Sequence, residues 1–234
     1  ELVALNGLKN QLFSVIAHDL KAPMYALRNL FRNMQQQDMP AEDIKLMVPD
    51  VVNDLNYTTS LMDNLLQWAK SQMKADAVKP IELDLYLMVE EVTRMLRLQA
   101  EQKNILVKHS IKKPMLVFVD ADMVHLVLRN LLSNAIKFTP AGGQVFIEAH
   151  EAAEFVEVFV KDSGKGMSAT DIKKIRDNIF FTTNGTASES GTGLGLMLCK
   201  EFLSKNGGQL HIESMQEKGS TISFTLPCNN QVIL

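Results

Sequence analysis

Cysteine is nearly missing from this 234-residue chain: only Cys199 and Cys228 occur, in no CxxC or Cys/His spacing. A zinc-stapled or disulfide-stapled scaffold is therefore excluded, and a reducing, intracellular compartment is the expectation. No apolar run reaches the ~18 residues of a membrane-spanning helix, and no signal peptide is recognisable. An excess of positive charge is also missing, since 24 Lys and Arg face 27 Asp and Glu for a net charge of −3. A chain held to nucleic acid or to an anionic lipid surface by bulk charge needs clustered lysine and arginine. Neither partner is expected. With 46% hydrophobic and 22% charged residues the chain reads as globular, not disordered. It starts at Glu1 without a methionine, which raises the expectation of a longer parent protein.

Glycine is absent from the first 76 residues except at Gly7, whereas 11 of the 12 glycines follow position 140. This shift separates a helical N-terminal part from a C-terminal part with strands and turns. Ile44, Val48, Val51, Leu55, Thr58, Met62, Leu65 and Ala69 recur at alternating steps of 4 and 3, a heptad seam whose one polar member is Thr58. Upstream, Leu5, Leu8, Leu12, Val15, Ile16, Leu20, Leu27, Leu30 and Met34 share one helical arc. The polar break from Gln35 to Glu42 is short enough for an antiparallel hairpin. Two helices cannot bury both arcs against each other, so a second copy is expected, giving a four-helix bundle and a homodimer. Pro23 and Pro49 should kink or interrupt these helices. By pattern alone, a purely structural coiled coil fits the heptads as well.

Beyond Pro80 the pattern alternates. Leu83 to Gln99, Asp120 to Lys137 and Leu196 to Asn206 read as helices. Ile105 to Ile111, Met115 to Val119, Val145 to Ala149, Phe155 to Asp162, Gln209 to Ser214 and Thr221 to Leu226 read as strands. The expected class is a helical hairpin followed by an α/β sandwich. Residues 1–76 form the first domain, 77–228 the second and 229–234 a tail.

Several constellations could carry chemistry. His18 lies almost opposite the apolar arc of its helix and should face solvent. An imidazole with pKa near ~6.5 is mostly neutral at pH 7, and the carboxylate of Asp19 could hold one ring proton while the other nitrogen attacks. Asn130, Asn134 and Lys137 stack on one face of their helix. Two amides and an ammonium suit a polyphosphate with a hard cation. Asp162 closes a strand and opens Asp-Ser-Gly-Lys-Gly-Met, where the carboxylate can accept from an exocyclic amine and Gly164 and Gly166 let backbone approach a base. Gly191, Gly193 and Gly195 run directly into a helix, whose N-terminus presents N–H groups to phosphate oxygens. Each signal alone also fits a surface histidine, a solvated helix face or an ordinary turn.

Together and in this order they resemble the transmitter core of bacterial sensor histidine kinases. The motifs are His18-Asp19-Leu20-Lys21-Ala22-Pro23, Asn130 to Pro140, Asp162 to Met167, Phe180-Phe181-Thr182-Thr183 and Gly191 to Leu196. The resemblance implies a dimerisation and phosphotransfer hairpin followed by an ATP-binding domain of the gyrase and Hsp90 type. It further implies that His18 takes the γ-phosphoryl group of ATP and passes it to an aspartate of a response-regulator receiver domain, with Asp19 orienting the imidazole. Asn134 would hold Mg²⁺, Asn130 and Lys137 would contact phosphates, and Phe138 would line the pocket. Asp162 would read the adenine amine beside Gly164 and Gly166, Thr221 would support Asp162 through water, and Gly191, Gly193 and Gly195 would shape a mobile lid. The implied setting is the cytoplasmic part of a larger sensor, without membrane contact in this fragment.

Two departures from the family pattern bear on activity. Ala22 stands where many members carry Thr or Asn to position a hydrolytic water, which implies weak phosphatase activity. No lysine or arginine occurs between Asn178 and Leu198, where some members place a cation for the γ-phosphate. Lys137 and Mg²⁺ would then carry that charge alone, or the partner subunit would help. Two other readings stay in play: a dimeric scaffold that holds ATP without phosphorylating itself, and an ATPase or serine kinase of the same superfamily, which would not need the His18 hairpin.

Overall fold

The computed structural model describes residues 24–25, 27–35, 40, 42–52, 54–55, 58–59, 62, 78–177, 179, 183–187, 189 and 193–228. The chain divides into two compact units, Glu1–Lys70 and Ser71–Leu234.

In the first unit the described residues of 24–35 (α1) and 42–62 (α2) are helical. Of the two predicted apolar arcs, Leu30 and Val51 are buried. Thr58, the polar member of the heptad seam, is buried too, and its Oγ1 donates to the Asp54 carbonyl at 2.7 Å. A hydroxyl satisfied by its own helix can sit in an apolar seam without an orphaned group. The expected break at Pro49 does not appear as an interruption, because residues 42–52 are helical throughout. Pro23, His18, Asp19 and the rest of the first arc lie outside the described residues.

The second unit is a layer of helices on a mixed sheet. Its elements are β1 (Ile81–Asp84), α3 (Leu85–Gln102), β2 (Leu106–Ser110), β3 (Leu116–Val119), α4 (Ala121–Phe138), β4 (Gln144–Glu151), β5 (Phe155–Asp162), α5 (Ala169–Arg176), α6 (Gly195–Lys205), β6 (Leu210–Met215) and β7 (Gly219–Pro227). The five-stranded sheet has the order β2-β4-β5-β7-β6, with β2 and β4 parallel and the other neighbours antiparallel. Alternation explains which face is covered: Val145, Ile147 and Ala149 on β4 and Val156, Val158 and Val160 on β5 are buried. Lys161 and Glu148 pair on the other face. α4 packs on α3, α6 and β5 and supplies most of the helical core, with Val124, Val127, Leu128, Leu131, Leu132 and Ile136 buried.

Caps set the helix starts. The predicted helix from Leu83 begins at Leu85, because Asp84 is its N-cap and accepts from Tyr86 N, while β1 pairs antiparallel with β3. The short strand β1 and the helix α5 have no counterpart in the sequence reading. α5 has no buried residue, so it carries no apolar stripe to read. At the far end of the helical layer, Asn206 is fully buried. Its Oδ1 accepts from Asp120 N at 2.7 Å and its Nδ2 donates to the Phe202 carbonyl at 2.8 Å. One amide thus joins the start of α4 to the end of α6. Among the described residues no helix is long and apolar enough to cross a membrane.

Candidate nucleotide site

Asp162 ends β5 and stands opposite Val145 on one side and Ser220 on the other. Its Oδ1 accepts from Gly164 N at 2.8 Å and from Ser220 N at 3.2 Å. Burial pushes the carboxyl above its ordinary pKa, and these hydrogen bonds oppose the shift. The turn that follows has no room for side chains at two places. A Cβ on Gly164 would sit 2.5 Å from the Phe138 carbonyl oxygen and 2.6 Å from Asp162 Oδ1. Gly166 has φ +63°, and a Cβ there would strike the Met215 carbonyl. Backbone bonds pin the turn from both sides: Lys165 N donates to Phe138 O at 3.1 Å, and Glu217 N donates to Lys165 O at 2.8 Å. The direct neighbour of the carboxylate on β7 is Ser220. Thr221, one residue later, is paired across to Lys161 and Glu213.

A second group lies along α4. Leu131, Leu132, Ala135 and Ile136 turn into the core, and Asn130, Asn134 and Phe138 remain half-buried on the other side. A Cβ on Gly195 would be 3.6 Å from the Asn130 amide carbon and 3.8 Å from Asn134 Nδ2. Both amides therefore lie against the first residue of α6. That helix begins at Gly195, and its N-cap residue Leu194 makes no side-chain cap hydrogen bond; a helix N-terminus favours an anionic ligand. Asn130 Nδ2 is buried with no hydrogen-bond acceptor. Beneath it, Cys199 is wholly buried, and burial pushes its thiol up to about 12.

The C-terminal end of α4 is crowded with cations. Lys137 is buried, 8% exposed, and its pKa is lowered to about 8, chiefly by desolvation; Glu189 opposes the shift, and Lys165 and Lys103 add to it. Its Nζ lies 4.9 Å from the centroid of the Phe138 ring. Lys103 Nζ donates to the carbonyls of Ile136 at 3.0 Å and Lys137 at 2.7 Å and pairs with Glu189 at 2.7 Å. A cation there complements the negative end of the helix dipole. Glu189 belongs to the loop before α6, and Thr186 of the same loop donates through N to Lys137 O at 3.1 Å and through Oγ1 to Thr139 O at 2.8 Å.

Of the residues singled out from sequence, Asn130, Asn134 and Gly195 come together, as do Phe138, Asp162 and Gly164, and Lys137 lies beside Phe138. Gly193 has φ +67° and precedes α6. His18, Asp19 and Gly191 lie outside the described residues, as do Phe180, Phe181 and Thr182. The sequence singles out Gly219-Ser220-Thr221 and the turn that contains Lys165, but the role beside Asp162 is expected there of Thr221, and none of Lys165, Lys103 or Glu189. The register Asp162↔Ser220 and long-range pairs such as Lys103 with Glu189 leave no local signal. Among the described residues no three His, Cys, Asp or Glu side chains gather as a metal cage. A divalent cation at Asn134 would fit only in company with phosphate oxygens, as magnesium is usually held.

Comparison with known proteins places this site in a family. Residues 119–230 match the histidine kinase-, DNA gyrase B-, and HSP90-like ATPase family. Over 228 residues the chain is 32% identical to the adaptive-response sensory kinase SasA of Thermosynechococcus vestitus, covering 94% of this chain and 60% of SasA. It is 29% identical over 218 residues to the sensor histidine kinase WalK of Bacillus subtilis, covering 91% of this chain and 35% of WalK. The chain thus spans only part of the length of these curated relatives. The fold is shared with histidine kinase ThkA, solved in complex with response regulator protein TrrA, at TM-score 0.77 and 21% identity over 97% of this chain and 64% of that one. Asp162, the α4 face and the start of α6 thus all lie in the segment that matches the histidine kinase-, DNA gyrase B-, and HSP90-like ATPase family, in a chain similar over most of its length to sensor histidine kinases.

Proposed function

We propose that the chain is the ATP-dependent kinase core of a two-component sensor, which phosphorylates His18 and passes the group to a receiver-domain aspartate. The observation that carries this reading is the convergence of Asn130 and Asn134 on the start of α6, together with a half-buried carboxylate, Asp162, in a glycine turn against Phe138 at the end of α4. Bound ATP with Mg²⁺ supplies the phosphoryl group. Asp162 accepts from the adenine amine, with Gly164 and Gly166 giving the base access to backbone and Phe138 lining the pocket. Asn130 and Lys137 hold phosphate oxygens, Asn134 completes the Mg²⁺ shell, and Gly191, Gly193 and Gly195 belong to the lid. Thr221 supports the Asp162 strand. Phosphoryl transfer asks for positioning and charge neutralisation more than for acid–base power, and amides, a lysine and a cation supply those.

In the step itself, one imidazole nitrogen of His18 attacks the γ-phosphorus and the bond to the β,γ-bridging oxygen breaks, releasing ADP. Asp19 holds the proton on the other nitrogen. Residues 1–76 act as dimerisation and phosphotransfer domain and 77–228 as catalytic domain. Phe31, Met34, Leu46, Val48, Val52 and Met62 are exposed in the single chain, and a second copy that closes a four-helix bundle would cover such a surface. The complex of ThkA with TrrA supports a response regulator as partner. The setting proposed is the cytoplasmic part of a larger sensor.

Incubation with Mg²⁺ and γ-labelled ATP tests the reading. The expected label requires His18, is lost in acid and survives alkali, and is absent from His18→Ala. Label on another residue would overturn the histidine assignment. ATP binding without any label would favour the dimeric scaffold.

A further inference from the structure

We propose that Lys165 is a second cation of the nucleotide site, paired with Lys137 over the Phe138 ring and directed at the polyphosphate. The assignment rests on the ATP reading above. Lys165 stands between Gly164 and Gly166 in the turn after Asp162, where nothing in the sequence ties it to the α4 face. The fold brings it there, because its backbone N–H donates to Phe138 O at 3.1 Å. Its Nζ lies 5.0 Å from the centroid of the Phe138 ring, beside the 4.9 Å of Lys137 Nζ. An aromatic face attracts each ammonium, but two of them on one ring repel each other. Lys165 is in fact one of the charges that lower the pKa of Lys137.

The neighbourhood does little to relieve that repulsion. Glu189 is the carboxylate that acts on Lys137, and Lys103 already engages it at 2.7 Å. Lys103 and Lys137 thus share one carboxylate, and an anion brought to this corner turns the repulsion between Lys137 and Lys165 into attraction. Between Asn178 and Leu198 there is no lysine or arginine, so the cations of this corner are Lys137, Lys165 and Lys103. Lys165 also reaches the loop before α6. Its Nζ donates to the Asn184 carbonyl at 2.6 Å, and a phosphate that draws the ammonium away releases that loop.

Equilibrium binding of adenosine, ADP and ATP in Mg²⁺ separates a phosphate contact from a structural one. For Lys165→Met the expected loss is about tenfold for ATP, equivalent to roughly 1.4 kcal/mol, smaller for ADP and under about twofold for adenosine. Lys165→Arg should restore most of the ATP affinity, and the salt dependence of ATP binding should flatten in Lys165→Met. An equal loss for adenosine and ATP would make Lys165 part of the turn's structure and overturn the assignment, as would no loss at all. A wild type that binds none of the three would bring down the ATP reading and this assignment with it. Retained adenosine binding certifies that the variant is folded.

Discussion

The two walls of the site are built from different material. Around Asp162 the wall is backbone: Gly164 and Gly166 leave no space for a methyl group, and Ser220, Glu217 and Lys165 close the turn with main-chain hydrogen bonds. At the end of α4 the wall is charged side chain: Lys137 and Lys165 over the Phe138 ring, with Lys103 paired to Glu189. Backbone sets a shape that cannot adapt, which suits a rigid planar base. Charged side chains rearrange within their rotamers, which suits a phosphate chain that changes charge and length during the reaction. On the proposed reading, rigidity and repulsion are divided between the two ends of one nucleotide.

The comparison can be broken at three places. Gly166→Ala forces a methyl group against the Met215 carbonyl at a left-handed φ. The expected cost is about 3 kcal/mol, seen as a fall in Tm of roughly 6–12 °C by calorimetry, with nucleotide binding lost. A variant that melts like the wild type would show that the first wall adapts after all. Lys103→Met removes two bonds to α4 carbonyls and the ion pair with Glu189, at about 2 kcal/mol. Amide exchange at Gly185, Thr186 and Ala187 should quicken, while that at Gly164 and Gly166 stays unchanged. Equal acceleration on both walls would mean that they are not independent. The smallest effect is on pH. Lys137 is charged below about 8 and neutral above, so ATP affinity should fall by about tenfold between pH 7 and 9. Stability contributed by this group moves the opposite way, because between about 8 and 10.5 the unfolded chain binds a proton that the folded chain has released. Lys137→Arg should abolish the drop in affinity, and titration calorimetry across that range reads it directly.

Much of this fold is legible from local pattern. α4 announces itself by an apolar stripe and an acidic cap, so Asn130, Asn134 and Lys137 could be placed on a common face before any coordinates. β4 and β5 alternate in the same readable way. What stays hidden depends on pairings distant in sequence. The register that sets Ser220 rather than Thr221 against Asp162 is a property of β5 with β7, and no local rule separates two adjacent hydroxyl residues. β1 is four residues with two acids, shorter and more polar than a strand signal needs, and Asp84 as a cap is visible only once β1 is known to end there. Lys165 between two glycines reads as turn punctuation, and its place beside Lys137 follows only from the folded turn. Of the heptad seam, Val51 and Thr58 are buried while Val48 and Met62 are exposed, and the Thr58 hydroxyl is satisfied by the Asp54 carbonyl of its own helix.

Asn206 gives the helical layer the mechanics of a pair of compasses. Its buried amide fastens the end of α6 to the start of α4, while the opposite end of α6 begins at Gly195, which faces Asn130 and Asn134. A helix of this length is about 16 Å long, so a swing of about 5° around the fastened end carries Gly195 through about 1.4 Å. That displacement is small for the core beside Asn206 and large for a phosphate held against Gly195. The lever arm therefore delivers the same rotation as packing noise at one end and as a change of ligand geometry at the other.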